Sequence, residues 1–159
     1  MPREPPTVAI HVMLAPGSAR FLETLGHLIG TGDNLSRTLD FLLLMTRLVY
    51  ADPEMLALVY NLLRRAGKLN NHGEPVRKRY HVRISTPAYK FLRKIMEELD
   101  IKTYGNAIKM VTELMEYTMK CPNLCQIVEA ISSAFEHTSL SHRLAEGEDG
   151  DTSAQSRQG

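Results

Sequence analysis

Polar and apolar residues alternate along two short stretches of this chain. In residues 79–84, arginine and histidine hold the odd-numbered positions, and tyrosine, valine and isoleucine hold the even ones. In residues 7–14, valine, isoleucine and leucine hold the even-numbered positions. Because successive side chains of a strand point to opposite faces, this period of two predicts two half-buried strands.

Two helices are predicted after the second strand. Residues 85–87 offer a hydroxyl cap with a proline in the first helical turn, and apolar residues then recur at helical spacing as far as Leu99. Residues 100–103 (Asp-Ile-Lys-Thr) break this helix, and a second helical pattern runs from Ala107 to Met115. The second half of the chain therefore has the order strand, helix, helix.

The first half of the chain has the same order. After a turn at residues 15–18, apolar residues follow helical spacing as far as Ile29, and this set includes Leu28. A turn rich in glycine then leads to a predicted helix at about residues 35–50. A proline behind an aspartate predicts a third helix, over residues 54–65.

The two halves can be laid over each other. His11 falls on His81, an offset of 70 (81 − 11). One extra residue in the glycine-rich turn reduces the offset to 69, which places Pro53 on Pro122 (122 − 53). We interpret the chain as a tandem duplication of a unit with one strand and three helices, in which the last helix covers about residues 124–137.

Composition and the alignment together predict the domain boundaries. They are a flexible N-terminus at residues 1–6, a first repeat with its third helix at residues 7–65, a surface linker rich in Gly, Asn and Pro at residues 66–77, a second repeat with its third helix at residues 78–143, and a disordered acidic tail at residues 144–159.

Duplication has a physical reason. A lone strand cannot satisfy its own backbone hydrogen bonds, and a two-stranded ribbon without support is marginal in water. Two copies in one chain can pair their strands and bury the underside of the ribbon with their helices. The predicted fold is therefore mainly α with a two-stranded antiparallel β-ribbon, an intramolecular pseudo-dimer.

Overall composition limits the function classes. The chain has 159 residues, 43% of them hydrophobic and 23% charged, and a net charge of +1, so any basic surface must be local. Basic residues do concentrate between residues 64 and 83. Two cysteines are too few for a disulfide framework, which favours a reducing cytoplasm. No charged-then-apolar leader is visible, and apolar runs such as residues 41–45 are far too short to span a membrane.

The second repeat resembles a known family. Residues 79–85, the helix behind them and residues 103–108 (Thr-Tyr-Gly-Asn-Ala-Ile) look like the ribbon-helix-helix (Arc/MetJ-like) DNA-binding proteins. The first repeat resembles them more weakly, through Asn34, Ser36 and Thr38-Leu39. The resemblance implies that outward strand residues read base edges in the major groove, and that the start of each second helix holds a backbone phosphate through its amides.

The resemblance carries over to two sets of residues. The residues expected to contact bases are Arg79, His81, Arg83, His11 and Met13. The residues expected to contact phosphates are Thr103, Lys102, Lys78, Arg77 and Asn34. No catalytic residue, metal or cofactor is predicted.

The first repeat departs from the family pattern on its outward face. Ala9 and Met13 stand where the second strand has Arg79 and Arg83. Three interpretations are open: the two DNA half-sites differ, the first repeat is only a structural partner, or the protein no longer reads DNA. The alternation itself is also compatible with an ordinary solvated strand face.

Cysteines and histidines near the C-terminus have a spacing that is close to that of a zinc site. Cys121, Cys125, His137 and His142 follow the pattern C-x3-C-x11-H-x4-H, near that of a two-Cys two-His finger. A finger needs its cysteines on a hairpin, whereas Pro122 begins a predicted helix here. We therefore interpret these residues as one buried cysteine and surface histidines.

The sequence predicts a cytoplasmic, sequence-specific double-stranded DNA-binding protein and transcriptional regulator. The alternative from another class is a non-catalytic protein-interaction module that keeps the duplicated fold. A third hypothesis is a toxin-neutralising or partition-type regulator whose tail binds another protein. The expected partners are double-stranded DNA, with a second copy of the chain (a dimer of pseudo-dimers) or another protein as further candidates. No membrane is expected.

Overall fold

The architecture comes from a computed structural model that describes residues 6–120. The N-terminal residues 1–5 lie outside the described residues. So do the predicted last helix at residues 124–137, the four Cys and His residues of the zinc pattern, and the predicted acidic tail.

The two predicted strands pair into an antiparallel ribbon. Strand β1 is Thr7–Met13 and strand β2 is Arg79–Ser85. Their register places His11 opposite His81 at the centre. The even-numbered positions at the heart of the ribbon are buried and the odd-numbered ones are exposed, so the period of two in the sequence is confirmed.

Three helices lie between the strands. Helix α1 is Pro16–Ile29, and a glycine in the left-handed region ends it. Helix α2 is Leu35–Val49, capped by the side chain of Asn34. Helix α3 is Pro53–Arg65, which starts at the predicted proline.

Two helices follow β2 within the described residues. Helix α4 is Thr86–Leu99, and the Ser85 hydroxyl accepts a hydrogen bond from the Ala88 N–H at 3.3 Å, as the sequence predicts. Helix α5 is Tyr104–Lys120. The described part of the chain is thus mainly helical, with five helices and one two-stranded antiparallel sheet.

The core lies beneath the ribbon. The side chains of Ile10, Val12, Val82 and Ile84 are at most 4% exposed, and they point toward the helices. Burying each of them is worth about 1.5–3 kcal/mol, so the inner face holds the ribbon onto the helical layer. The odd-numbered side chains are left on the opposite, outer face.

Each outer edge of the ribbon is covered by a helix from the other half of the chain. The N–H groups of Arg83 and Ser85, on β2, donate to Ser36 Oγ at 2.9 Å and to Asp40 Oδ1 at 2.7 Å, both on α2. At the edge of β1, α5 approaches so closely that a Cβ at Gly105 would collide with the Met13 carbonyl oxygen. The ribbon therefore has no free edge to pair with another strand at these positions.

Two details differ from what the sequence pattern suggests. Most residues of the linker are exposed, but His72 in its middle is only 5% exposed and its carbonyl accepts a hydrogen bond from the Gly17 N–H at 2.9 Å. Leu28 fits the apolar spacing of α1 but is 74% exposed. Helical spacing assigns a residue to a face, whereas burial also depends on which neighbouring element covers that face.

Candidate nucleic-acid interface

The outer face of the ribbon carries the predicted base-contacting residues. Six exposed side chains lie on this face, three from each strand: Ala9, His11, Met13, Arg79, His81 and Arg83. The strand period and the antiparallel register bring them together because odd-numbered residues face odd-numbered residues across the ribbon. All five residues predicted to contact bases therefore share one surface.

These six side chains form three rows across the ribbon. The central row is His11 and His81, whose ring centroids are 4.7 Å apart with an interplanar angle of 38°. One end row pairs Ala9 with Arg83, and the other pairs Met13 with Arg79. Each end of the outer face therefore has one arginine, and both arginines come from β2.

The arginine at one end row is partly held by the ribbon. Arg83 donates from Nη1 to the hydroxyl of Thr7 at 3.2 Å, and this bond uses one of its five N–H donors. Its backbone is fixed as well, because its N–H donates to Ser36 at the start of α2. Arg83 is therefore held by its backbone N–H and by one guanidinium N–H, while its side chain lies on the exposed face.

The two helix starts predicted to hold phosphates lie at opposite ends of the ribbon. Thr103 caps α5 by accepting from the Asn106 N–H at 3.1 Å, and Asn34 caps α2 by accepting from the Arg37 N–H at the same distance. Both caps are exposed. Because the first turn of a helix has free N–H groups and a positive end of the helix dipole, both positions favour an anion.

The predicted basic contacts differ in how they are placed. Lys78 holds its ammonium 5.0 Å from the centre of the Tyr80 ring, beside the end row of Arg79. Arg77 is exposed in the linker just before it. Lys102, next to the α5 start, makes a 2.7 Å ion pair with the exposed Asp100, which offsets its charge locally.

A buried polar cluster surrounds His72 and has no signature in the sequence. His72 Nε2 lies 3.0 Å from Glu116 Oε1, and since a carboxylate only accepts, this nitrogen carries the proton. His72 Nδ1 lies 3.2 Å from Ser18 Oγ and 2.9 Å from Thr112 Oγ1. The backbone N–H of His72 also donates to Glu113 Oε2 at 2.8 Å. The partners stand 40 to 54 residues from His72, so sequence spacing gave no signal for them.

This cluster contains the hydroxyl, imidazole and carboxylate side chains of a catalytic proton relay, but it lies where a substrate cannot reach it. Ser18 is 0% exposed and His72 is 5% exposed, so a substrate has no access to the hydroxyl. The same bonds tie the linker to α1 and α5 and satisfy polar groups that would otherwise be costly to bury. We assign the cluster to holding the linker.

The cluster shifts the acidity of two groups. Burial alone raises the pKa of Glu116, but hydrogen bonds from His72 and Asn70 and the nearby positive charges outweigh burial, so the pKa is lowered. Burial, followed by a 2.8 Å hydrogen bond to Glu113, raises the pKa of Tyr60 to about 12. Both shifts favour the protonation states that the hydrogen bonds require at neutral pH.

Residues 6–120 contain no group of three or more His, Cys, Asp and Glu side chains placed to hold a metal ion. Within the same residues, no helix has the length and apolar character needed to cross a lipid bilayer. The whole chain, compared with protein-family models, with curated proteins and with solved structures, gave no match in any of the three.

Proposed function

We propose that this protein is a sequence-specific double-stranded DNA-binding protein, a transcriptional regulator that reads the major groove with its β-ribbon. The observation that carries the proposal is the exposed outer face, where Arg79, His81 and Arg83 stand in line on a two-stranded ribbon. Such a ribbon is one of the few elements that fit the major groove, and arginine is the commonest reader of guanine there.

The register of the ribbon supports an internal duplication. In every pair across the ribbon the two residue numbers add up to 92, as in Thr7 with Ser85 and Met13 with Arg79. Under the sequence offset of 70, the only residue that pairs with its own equivalent is His11, with His81. The ribbon is therefore related to itself by a two-fold axis through that pair, as a ribbon made by two copies of one unit would be.

The helix ends support the same duplication. Gly30 ends α1 and Asp100 ends α4, both in the left-handed region, and their numbers differ by 70 (100 − 30). After the extra residue of the turn, Asn34 caps α2 and Thr103 caps α5 with matching hydrogen bonds, at an offset of 69 (103 − 34). Equivalent positions of the alignment thus have equivalent local structure.

The packing of the second helices supports an intertwined pseudo-dimer. Ser36 of α2 contacts the backbone of Arg83, and its equivalent, Gly105 of α5, lies against the backbone of Met13. In each case the second helix of one half packs on the strand of the other half. We infer a single-chain ribbon-helix-helix fold in which the second helix of each repeat packs on the strand of the other repeat.

On this proposal, the ribbon and the helix starts have separate tasks. Arg79 and Arg83 donate two parallel hydrogen bonds each to guanine, and the central histidines contact the bases between them. The starts of α2 and α5, at the two ends of the ribbon, hold phosphates through their free N–H groups and fix the register on the duplex. Lys78 and Arg77 add attraction that does not depend on sequence.

The proposal is tested by replacing the two arginines together. Arg79→Ala/Arg83→Ala should weaken binding to the preferred duplex about 5- to 150-fold for each guanine that no longer has its arginine, because each such pair contributes about 1–3 kcal/mol. Fluorescence anisotropy against salt measures the change in affinity. The logarithm of the wild-type binding constant should fall linearly with the logarithm of the salt concentration.

A matched control removes two arginines that lie outside the ribbon. Arg47→Ala/Arg65→Ala lowers the net charge equally, at exposed positions in the last turns of α2 and α3. Arg47 is eleven residues beyond Ser36, about 16 Å along the helix. The control should bind almost as tightly as wild type. Equal weakening in both variants would reduce the effect to bulk charge, and absence of wild-type binding at low salt would refute the proposal.

A second candidate function has one observation in its favour. Helix α3 leaves Leu58 and Leu62, four residues apart on one face of the helix, more than half exposed. Exposed apolar side chains that group together favour a protein-binding surface. If duplex DNA does not bind, we propose instead that the chain is a protein-interaction module.

A further inference from the structure

We propose that one chain reads a DNA site without two-fold symmetry, in which both guanine contacts are made by strand β2. The inference rests on the proposed function and adds the symmetry and base preference of the target. It starts from a contrast between the backbone of the ribbon, which is two-fold symmetric about the central histidines, and its outer side chains, which are not.

The asymmetry is systematic. Rotation about the central pair exchanges position 79 with position 9 and position 83 with position 13, so each arginine changes places with Ala9 or Met13. Only the histidine row maps onto itself. Two identical chains present identical strands and therefore match a palindrome, whereas these two strands match half-sites of different sequence.

The side chains indicate what each half-site contains. Arginine selects guanine by two parallel hydrogen bonds to O6 and N7, whereas a small apolar side chain such as Ala9 favours the methyl group of thymine. Met13 offers an apolar contact at the other end of the outer face, in the row of Arg79. The charged contacts thus come from one strand of the ribbon and the apolar contacts from the other.

The spacing of the two arginines sets the spacing of the guanines. Arg79 and Arg83 are four residues apart on one strand, about 13 Å at 3.3 Å per residue. This length corresponds to about four base-pair steps at 3.4 Å. The preferred site should therefore have two guanines separated by roughly this distance, with the histidine pair above the base pairs between them.

The experiment is selection of preferred sites from random duplex DNA by the full-length protein. Native mass spectrometry of the selected complex establishes how many chains bind. The symmetry of the consensus is then judged within the stretch bound by one chain. We expect a non-palindromic consensus, and changing either guanine should lower the affinity about 5- to 150-fold.

Two variants sharpen the test. Ala9→Arg/Met13→Arg gives both strands the same outer residues and should select a palindrome. The quadruple variant Ala9→Arg/Met13→Arg/Arg79→Ala/Arg83→Met exchanges the outer residues of the two strands. Because it presents the wild-type surface rotated by 180° with unchanged composition, it should select the wild-type consensus.

The outcomes separate this inference from the proposed function. A palindromic wild-type consensus at one chain per site would overturn the asymmetry while DNA binding stands. A consensus that Arg79→Ala and Arg83→Ala leave unchanged would also overturn the assignment of the guanine contacts to β2. Failure of the wild type to bind any duplex at low salt would remove both proposals.

Discussion

At the residue scale, the contact between α5 and the ribbon depends on a glycine. Gly105 is buried in the first turn of α5, and a Cβ built there would overlap the carbonyl oxygen of Met13. Under the proposed duplication, the equivalent position in the first half is Ser36, where α2 stands far enough from β2 for a hydroxyl to accept from a backbone N–H. The two halves therefore make the same contact at different distances.

Gly105→Ala tests this close approach. Alanine favours a helix over glycine by up to about 1 kcal/mol, but the overlap with a rigid backbone atom costs about 1–3 kcal/mol, so the free energy of unfolding should fall. Urea unfolding followed by circular dichroism measures it. Asn106→Ala, on the exposed face of the same turn, should change stability little. A Gly105→Ala protein as stable as wild type would show that α5 can move away from β1 without cost.

At the element scale, the strands and most helix starts could be predicted, because their signals are local. Alternation indicated both strands, and the capping residues Asn34, Ser85 and Asp52 lie where the helices begin. The anchoring of the linker could not be predicted, since His72 meets partners that are distant in sequence. The ion pair of Lys102 with Asp100 also depends on a backbone turn that periodicity does not describe.

The anchored linker should make stability depend on acid pH. Because the folded-state pKa of Glu116 is below its ordinary value of 4.5, its carboxylate contributes stability above that pH, and the contribution is lost as the pH falls through the lower folded-state value. Glu116→Gln should therefore be less stable than wild type at neutral pH, and the difference should shrink well below pH 4.5. Urea unfolding of both proteins, at neutral pH and again well below pH 4.5, measures the difference in the free energy of unfolding.

A control for the pH effect is available on another helix. Glu98→Gln removes an exposed glutamate of α4 and should follow the wild-type pH dependence. If Glu116→Gln keeps the same deficit at every pH, the loss comes from packing or amide geometry, and the charge of Glu116 does not support the linker.

At the scale of the whole molecule, the candidate site is made by pairing two strands that are separated by 65 intervening residues, 14–78. The sequence predicted which side chains face outward, since that depends only on the strand period. The register could be expected only from the internal alignment, and the position of each helix start against the opposite strand required the three-dimensional packing. The asymmetry of the outer face was visible in the sequence as Ala9 and Met13, but its arrangement in rows was not.

An intramolecular ribbon has a consequence for unfolding. When both strands belong to one chain, unfolding creates no extra particles, so the thermal midpoint should not change over a wide range of protein concentration. Differential scanning calorimetry measures the midpoint. If two chains instead exchanged strands, the midpoint would rise with concentration, as in obligate dimers. Analytical ultracentrifugation of the same samples checks that the native chain is monomeric, because any association of native chains would also raise the midpoint with concentration.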